Sequence, residues 1–412
     1  MATESKVDAS TTVRGCPQTR RALLAATLAS EPLNALYTLL PVILYKNLHA
    51  TPLQISIFIT LRPCFSVFSF YWSSHLLYYK NRLIPNLIGA WVLARLPFVF
   101  LLFFPNFWFL MFAAAVYQLF SKAGIPSWIE ILKRNIPKEP REHLFSLYNI
   151  LSFLEGICLS FVIGRLLDFN PSSWNGMICI AAAVGLGSLF FVSKVNVPQS
   201  KTSQSSSPPP NRLLHPWKQG FQLLRERPDF ARFQLGFMIG GSALMIMAPA
   251  LSIFYVDTLS LSYSTITTAR FVFMGIGVIC SSLIWKRGLQ RLPINFLICL
   301  ILIGFCLFPV ALLLAQSNEL FVYVAFVIYG VAQAGSQLIW NLSGTIFAGE
   351  GESLPFTNVN ILMLSIRGCV VPLLGGKLCE MLGPIPILFV GIAMTLFGIL
   401  FMMRKKEYIL ST

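Results

Sequence analysis

The chain has 412 residues, of which 56% are hydrophobic and only 11% charged, and it carries a formal net charge of +15. Soluble globular proteins carry about 25% charged residues, so this composition excludes an ordinary soluble enzyme, a disordered chain and a disulfide-stapled secreted domain. In so apolar a chain the basic excess points to the charge asymmetry of a membrane protein and away from nucleic acid.

Met1 to Arg21 is polar and lacks the apolar core and cleavage site of a secretory leader. A membrane span needs about 20 mostly apolar residues. Twelve such stretches follow: Ala22–Tyr45, Leu53–Leu76, Leu83–Phe104, Asn106–Trp128, Leu144–Leu167, Trp174–Ser193, Phe230–Val256, Tyr263–Trp285, Pro293–Ala315, Glu319–Thr345, Thr357–Glu380 and Gly383–Met403. Nothing alternates as the strands of an outer-membrane barrel do. The fold class is therefore an all-α polytopic membrane protein with twelve transmembrane helices. Six lie in residues 22–193 and six in 230–403, flanked by tails at 1–21 and 404–412. The linker, 194–229, holds three serines and three prolines from Ser205 to Pro210, a flexible composition with a short extended stretch. After it, Trp217, Phe221 and Leu224 share a helical face opposite Lys218 and Arg225, a spacing suited to a helix in the headgroup layer.

With the N-terminus in the cytoplasm, 24 of the 31 basic residues fall on that side and four lie inside spans. Only Lys46, Arg165 and Lys377 fall on the far side. The positive-inside rule then places both termini in the cytoplasm and makes the span number even. Short loops and small tails suit a bacterial inner membrane, and the chain reads as a monomer whose partners are the bilayer and a small solute.

The two halves repeat one another. Pro41 matches Pro249, Arg62 matches Arg270, and Ser73–Ser74 match Ser281–Ser282, all at an offset of 208 residues. Tyr117 matches Tyr329 and Trp128 matches Trp340 at 212, the same offset that relates Gly156, Gly164, Arg165 and Asp168 to Gly368, Gly376, Lys377 and Glu380. Matches in four helix pairs, in order, imply two pseudo-symmetric six-helix bundles of the same orientation. This architecture resembles the major facilitator superfamily over most of the chain, from Ala22 to Met403. The family's loop signature, Gly-x-Leu-x-Asp-Arg-x-Gly-Arg-Arg after the second span, is almost erased at Ser73, His75, Leu77, Tyr78, Lys80 and Arg82. Its second-half copy is clearer at Ser281, Leu283, Trp285, Lys286 and Gly288, with Trp285 where the family has Asp. The resemblance implies a secondary transporter whose halves rock about a central site. It also implies that spans five and eight meet, as do spans two and eleven.

A charged side chain at the bilayer centre costs about 2.5–3.5 kcal/mol on insertion scales, which makes it a functional candidate. Six lie well inside spans: Glu31, Arg62, Arg95, Glu155, Arg270 and Arg367. By the resemblance, Glu155 can pair with Arg270, while Arg62 and Arg367 face each other. Two like charges in low dielectric repel and call for Glu31, or for a bound anion, between them. Arg62, Arg270 and Arg367 are thus candidate ligands of an anionic solute, with static ion pairs between helices as the alternative. Glu31, desolvated beside Pro32 and Asn34, is the candidate proton carrier; its alternative is a plain partner for Arg62. Arg95, in the third span, reads as structural. In the tenth span Gln333, Gln337 and Asn341 fall at i, i+4 and i+8 on one face. That stripe can bind a polar solute, on which Trp340 can stack, or else tie helices together.

No metal-ligand spacing joins the four histidines, no phosphate loop is present, and no acid, histidine and serine constellation lies at depth. The reading is therefore of no enzyme, no cofactor and no metal. The nine cysteines contain no CxxC pair, and all but Cys16 lie in apolar stretches, where they read as packing residues. The function expected is alternating-access transport of a small polar, anionic organic solute. Alternatives are a carrier of lipids or amphipathic drugs, for which the 35 phenylalanines leave room, and a transporter-like sensor or assembly factor.

Overall fold

The computed structural model describes residues 9–76, 83–136, 138–197, 215–348 and 354–403, and every regular element among them is helical. In chain order the helices are α1 (Ala9–Leu28), α2 (Glu31–Leu48), α3 (Pro52–Leu76), α4 (Leu83–Val99), α5 (Phe107–Ala123), α6 (Ile125–Asn135), α7 (Lys138–Phe169) and α8 (Trp174–Ser193). After the linker come α9 (His215–Glu226), α10 (Pro228–Ile253), α11 (Tyr263–Thr268), α12 (Met274–Arg291), α13 (Ile294–Leu314), α14 (Leu320–Ala348), α15 (Leu354–Leu382) and α16 (Pro384–Met403). Among the described residues nine helical stretches are long and apolar enough to cross a membrane, and α5 is a shorter apolar helix. The predicted second and fifth spans are present as α3 and α7, so each of the twelve predicted spans has its helix.

The chain divides into two compact units, Met1–Leu40 with Phe65–Ser206, and Pro41–Cys64 with Ser207–Thr412. The placement of Pro41–Cys64 has a local cause. The Tyr45 hydroxyl donates to the Asp257 carboxylate, and the Tyr263 hydroxyl donates to the Asn47 side-chain carbonyl at 2.5 Å. The Lys46 ammonium lies 4.5 Å from the centre of the Tyr263 ring. The Leu53 amide donates to Glu380 Oε1 at 3.3 Å. Gly376 carries no side chain because Ser56 and the Pro52 carbonyl fill that space. The turn between α2 and α3 thus packs on the ends of α10, α11 and α15.

Two spans in the first unit are interrupted by turns where one continuous helix is expected. The first is broken at Ala29–Ser30, between α1 and α2. Pro32 is the cause: it has no N–H for the Leu28 carbonyl, and its ring crowds that carbonyl. The fourth span is interrupted at Gly124, between α5 and α6, where a Cβ would run into the Trp91 indole.

In the second unit, helix packing depends on small residues, as it must where lipid is as apolar as leucine. On α12, Gly277 meets the backbone of Val327, and on α14, Gly330 meets the Met274 carbonyl. Trp285 lies over Gly335 and donates its indole N–H to the Val331 carbonyl at 2.7 Å. Trp285 therefore pins α12 to α14. Gly330→Ala should lower the thermal stability of the detergent-solubilised protein by about 1–3 kcal/mol, because backbone cannot yield as a side-chain end does. An unchanged melting temperature would contradict the seam.

The amphipathic linker helix is present as α9. Its Gly220 abuts Val359 and Leu362 of α15, and Leu223 and Leu224 join the core around Phe230 and Phe233, while Phe221 stays exposed. The face expected to be uniformly apolar is divided between protein and surface. The Trp217 and Lys218 side chains, and the Ser205–Pro210 run, lie outside the described residues.

Candidate functional site

In the first unit the break in the first span sets Glu31 in the opening turn of α2. Broken helices of this kind build transporter sites, because free backbone groups and the positive end of a helix dipole lie at membrane depth. Around Glu31 a polar chain has formed. Its carboxylate accepts from the side chains of Ser152 and Asn34. The Asn34 carbonyl oxygen in turn accepts from the Tyr117 hydroxyl at 2.5 Å, and the Tyr117 ring packs on Tyr37 and Phe98. Glu155, one turn beyond Ser152 on α7, is close enough for its carboxylate to repel that of Glu31. Its Oε2 is buried with no hydrogen-bond partner among the described residues. Two carboxylates in one low-dielectric setting are relieved by a single shared proton.

Arg95 belongs to a different part of that unit. It is buried, donates to the Ser30 hydroxyl at 2.6 Å and to the Trp91 carbonyl at 3.2 Å, and lies over Gly185. Ser30 donates onward to the Ala26 carbonyl at 2.7 Å. A cation at the C-terminal end of α1, where carbonyls lack helical partners, stabilises the break.

In the second unit the three candidate arginines have different surroundings. Arg62, on α3, is exposed. Arg270 is also exposed, on a widened π-helical turn, Ala269–Phe273, that leads into α12. Such turns recur at functional sites because they push one residue out of the regular ladder. Its guanidinium lies near enough to Tyr255 and Tyr329 for its charge to act on both hydroxyls. Arg367, by contrast, is only 8% exposed. It donates from Nη1 to the Phe237 carbonyl of α10 at 2.6 Å, and its guanidinium fills the space that a Cβ on Gly241 would need. Its Nε has no partner among the described residues.

The polar stripe of α14 follows the spacing. Gln333 is half-buried, Gln337 and Asn341 are exposed, and Ala332, Ile339 and Ser343 on the other side are buried. Tyr329 lies one turn before Gln333, so the stripe continues towards Arg270. Trp340 does not stand free: its ring packs 5.4 Å from that of Phe237, at the edge of the core. Ser343 accepts from the Asn360 amide at 2.6 Å, and Asn360 accepts from Gln234, a buried network that ties α10, α14 and α15.

Arg367→Ala should destabilise the protein by about 1.5–3 kcal/mol, the worth of a charge-assisted hydrogen bond. Arg367→Met, which refills the groove over Gly241 without a buried charge, should restore most of that loss. Thermal unfolding of both variants checks this; equal loss in the two would contradict it.

The residues missed by sequence reasoning are Ser152, Tyr117, Tyr255 and Tyr329. A signal existed for two of them, since Tyr117 and Tyr329 are repeat partners, and each stands beside the charged residues of its own unit.

Among family models, that of the Major Facilitator Superfamily matches residues 22–353. Among solved structures, a mutant of the nucleoside transporter NupG is similar with a TM-score of 0.75 at 13% identity, covering 93% of this chain and 99% of that one. A POT family transporter in complex with 5-aminolevulinic acid gives 0.71 at 13% identity, covering 95% and 99%. A bacterial homologue of the human lysosomal transporter Spinster, in an inward-facing and unoccupied conformation, gives 0.62 at 14%, covering 94% and 95%. No curated protein sequence matches the chain. At such identities the solved structures speak for the fold alone.

Proposed function

The chain belongs to the Major Facilitator Superfamily, and from that premise we propose that it is a secondary transporter of a small, polar, anionic organic solute, working by alternating access. The observation that carries this reading is the separation, at span depth, of the carboxylates from the exposed cations, Arg95 being a buried cation held by Ser30 and Trp91 in the carboxylates' unit. The carboxylates of Glu31 and Glu155 are together in one unit, and the exposed cations Arg62 and Arg270 are in the other. In this reading Arg62 and Arg270 hold the anionic group of the solute. Gln333, Gln337 and Asn341 hydrogen-bond its polar body, since an exposed amide on lipid is costly and one on water is not. Arg367 and Trp340 position α15 and α14 around the site. Glu31, paired with Glu155, takes up and releases the coupling proton. Both termini lie in the cytoplasm, supported by the distribution of Lys and Arg.

The direct test is a thermal-shift screen of the purified protein against neutral, cationic and anionic metabolites, followed by uptake of each stabilising compound into proteoliposomes with and without an imposed pH gradient. Stabilisation and uptake confined to anions support the reading. Uptake of cations or neutral lipids in their place would overturn it.

A further inference from the structure

The α3 and α15 helices are in close contact at Pro63 and Gly368, near the middle of each. A Cβ on Gly368 would collide with the ring of Pro63, so only glycine allows this spacing. The next residue of each helix is a cysteine. The thiols of Cys64 and Cys369 are within hydrogen-bonding reach of each other, and both are half-buried. Cys64 is twelve residues from the start of α3 and Cys369 thirteen from the end of α15, which at 1.5 Å per residue is about 18–20 Å along each helix. The pair therefore lies at the depth of Arg62 and Arg367, each two residues before its cysteine. A disulfide needs Cα atoms roughly 4.4–6.8 Å apart, which few helix pairs permit and which the bare Gly368 face favours.

We propose that Cys64 and Cys369 are an oxidisable dithiol whose disulfide ties α3 to α15 and arrests the transport cycle in the arrangement seen here. The oxidant is a peroxide, hydrogen peroxide being small and uncharged enough to enter the bilayer. One thiol attacks a peroxide oxygen and gives its proton to the departing oxygen; the O–O bond breaks, and a sulfenic acid forms with loss of one water. The second thiol then displaces the sulfenic oxygen as a second water, and the S–S bond forms. Two thiols have lost two electrons and two protons, and one peroxide has become two waters. Thiol reductants reverse the change by exchange. At one end of this pair Leu53 of α3 donates to Glu380 of α15, while Lys46 and Asn47 of α2 meet Tyr263 of α11, so a bond at mid-span would close the remainder of the α3–α15 seam.

The disulfide itself stands on geometry alone; the arrest rests on the transport reading. The full chain in membrane vesicles is treated with hydrogen peroxide and digested without reductant, and its peptides are mapped by mass. A Cys64–Cys369 cross-linked peptide is expected, lost on reduction and absent from Cys64→Ala. Peroxide should then lower uptake at least tenfold in the unmodified chain, reversibly with dithiothreitol, and leave Cys64→Ala uptake unchanged. Pairing of either cysteine elsewhere, or no disulfide in a chain that transports, overturns the proposal. A disulfide that leaves uptake unaltered overturns the arrest. A disulfide in a chain that moves no solute even when reduced supports the dithiol and counts against the transport reading instead.

Discussion

Replacing Arg270 by alanine should lower solute uptake about 10- to 100-fold while the amount of folded protein stays the same. The magnitude is that of a lost charge-assisted hydrogen bond, about 1.5–3 kcal/mol, with 1.4 kcal/mol for each factor of ten. Folding should survive because the side chain is exposed on a widened turn and supports no core packing. Arg270→Lys should fall between the two, keeping the charge but losing the planar fork that grips a carboxylate or phosphate. Uptake and the amount of monodisperse protein are measured together. If Glu155→Ala restores uptake in the Arg270→Ala background, the arginine serves charge balance and is no solute ligand.

Replacing Glu31 by glutamine should abolish coupling without abolishing movement. A gradient of one pH unit is worth about 1.4 kcal/mol per proton, a tenfold accumulation. In proteoliposomes with such a gradient the unmodified protein should concentrate its solute, whereas Glu31→Gln should only equilibrate it. The amide oxygen can still accept from Ser152 or Asn34, but the amide cannot take up a proton. Glu155→Gln should weaken coupling less, as its Oε2 has no partner to relay through among the described residues. Full gradient dependence in Glu31→Gln would eliminate this role.

Much of the architecture was legible because membranes simplify the code. A bilayer admits only helices or closed barrels, so hydropathy alone yields the twelve spans. The internal repeat then orders them into halves. Candidate charges were legible for the same reason: Arg62, Arg270, Glu31 and Glu155 are conspicuous in apolar surroundings. Their distribution between roles was not. Arg62 and Arg367 look equivalent as letters. One is exposed, and the other fills a glycine groove on α10 and donates to the Phe237 carbonyl. Trp340 likewise looks like a stacking platform by its place in the polar stripe, and the Phe237 ring claims it for packing. In neither case does periodicity report which neighbour another helix brings up.

The opening charge of +15 illustrates the division. Composition and the ordering of Lys and Arg along the chain decide, by themselves, that this is a membrane protein with helical spans and an expected topology, because transfer energies depend on residue type alone. The broken first span is half legible, since Pro32 announces it. What only tertiary structure decided is which polar groups meet: Glu31 with Ser152, Asn34 and Glu155, Arg270 with two tyrosines, and Cys64 with Cys369. The last of these depends on Gly368 letting α3 and α15 approach, as Gly241 lets the Arg367 guanidinium lie against α10. Such contacts join residues as far as 305 positions apart, where no local propensity reaches.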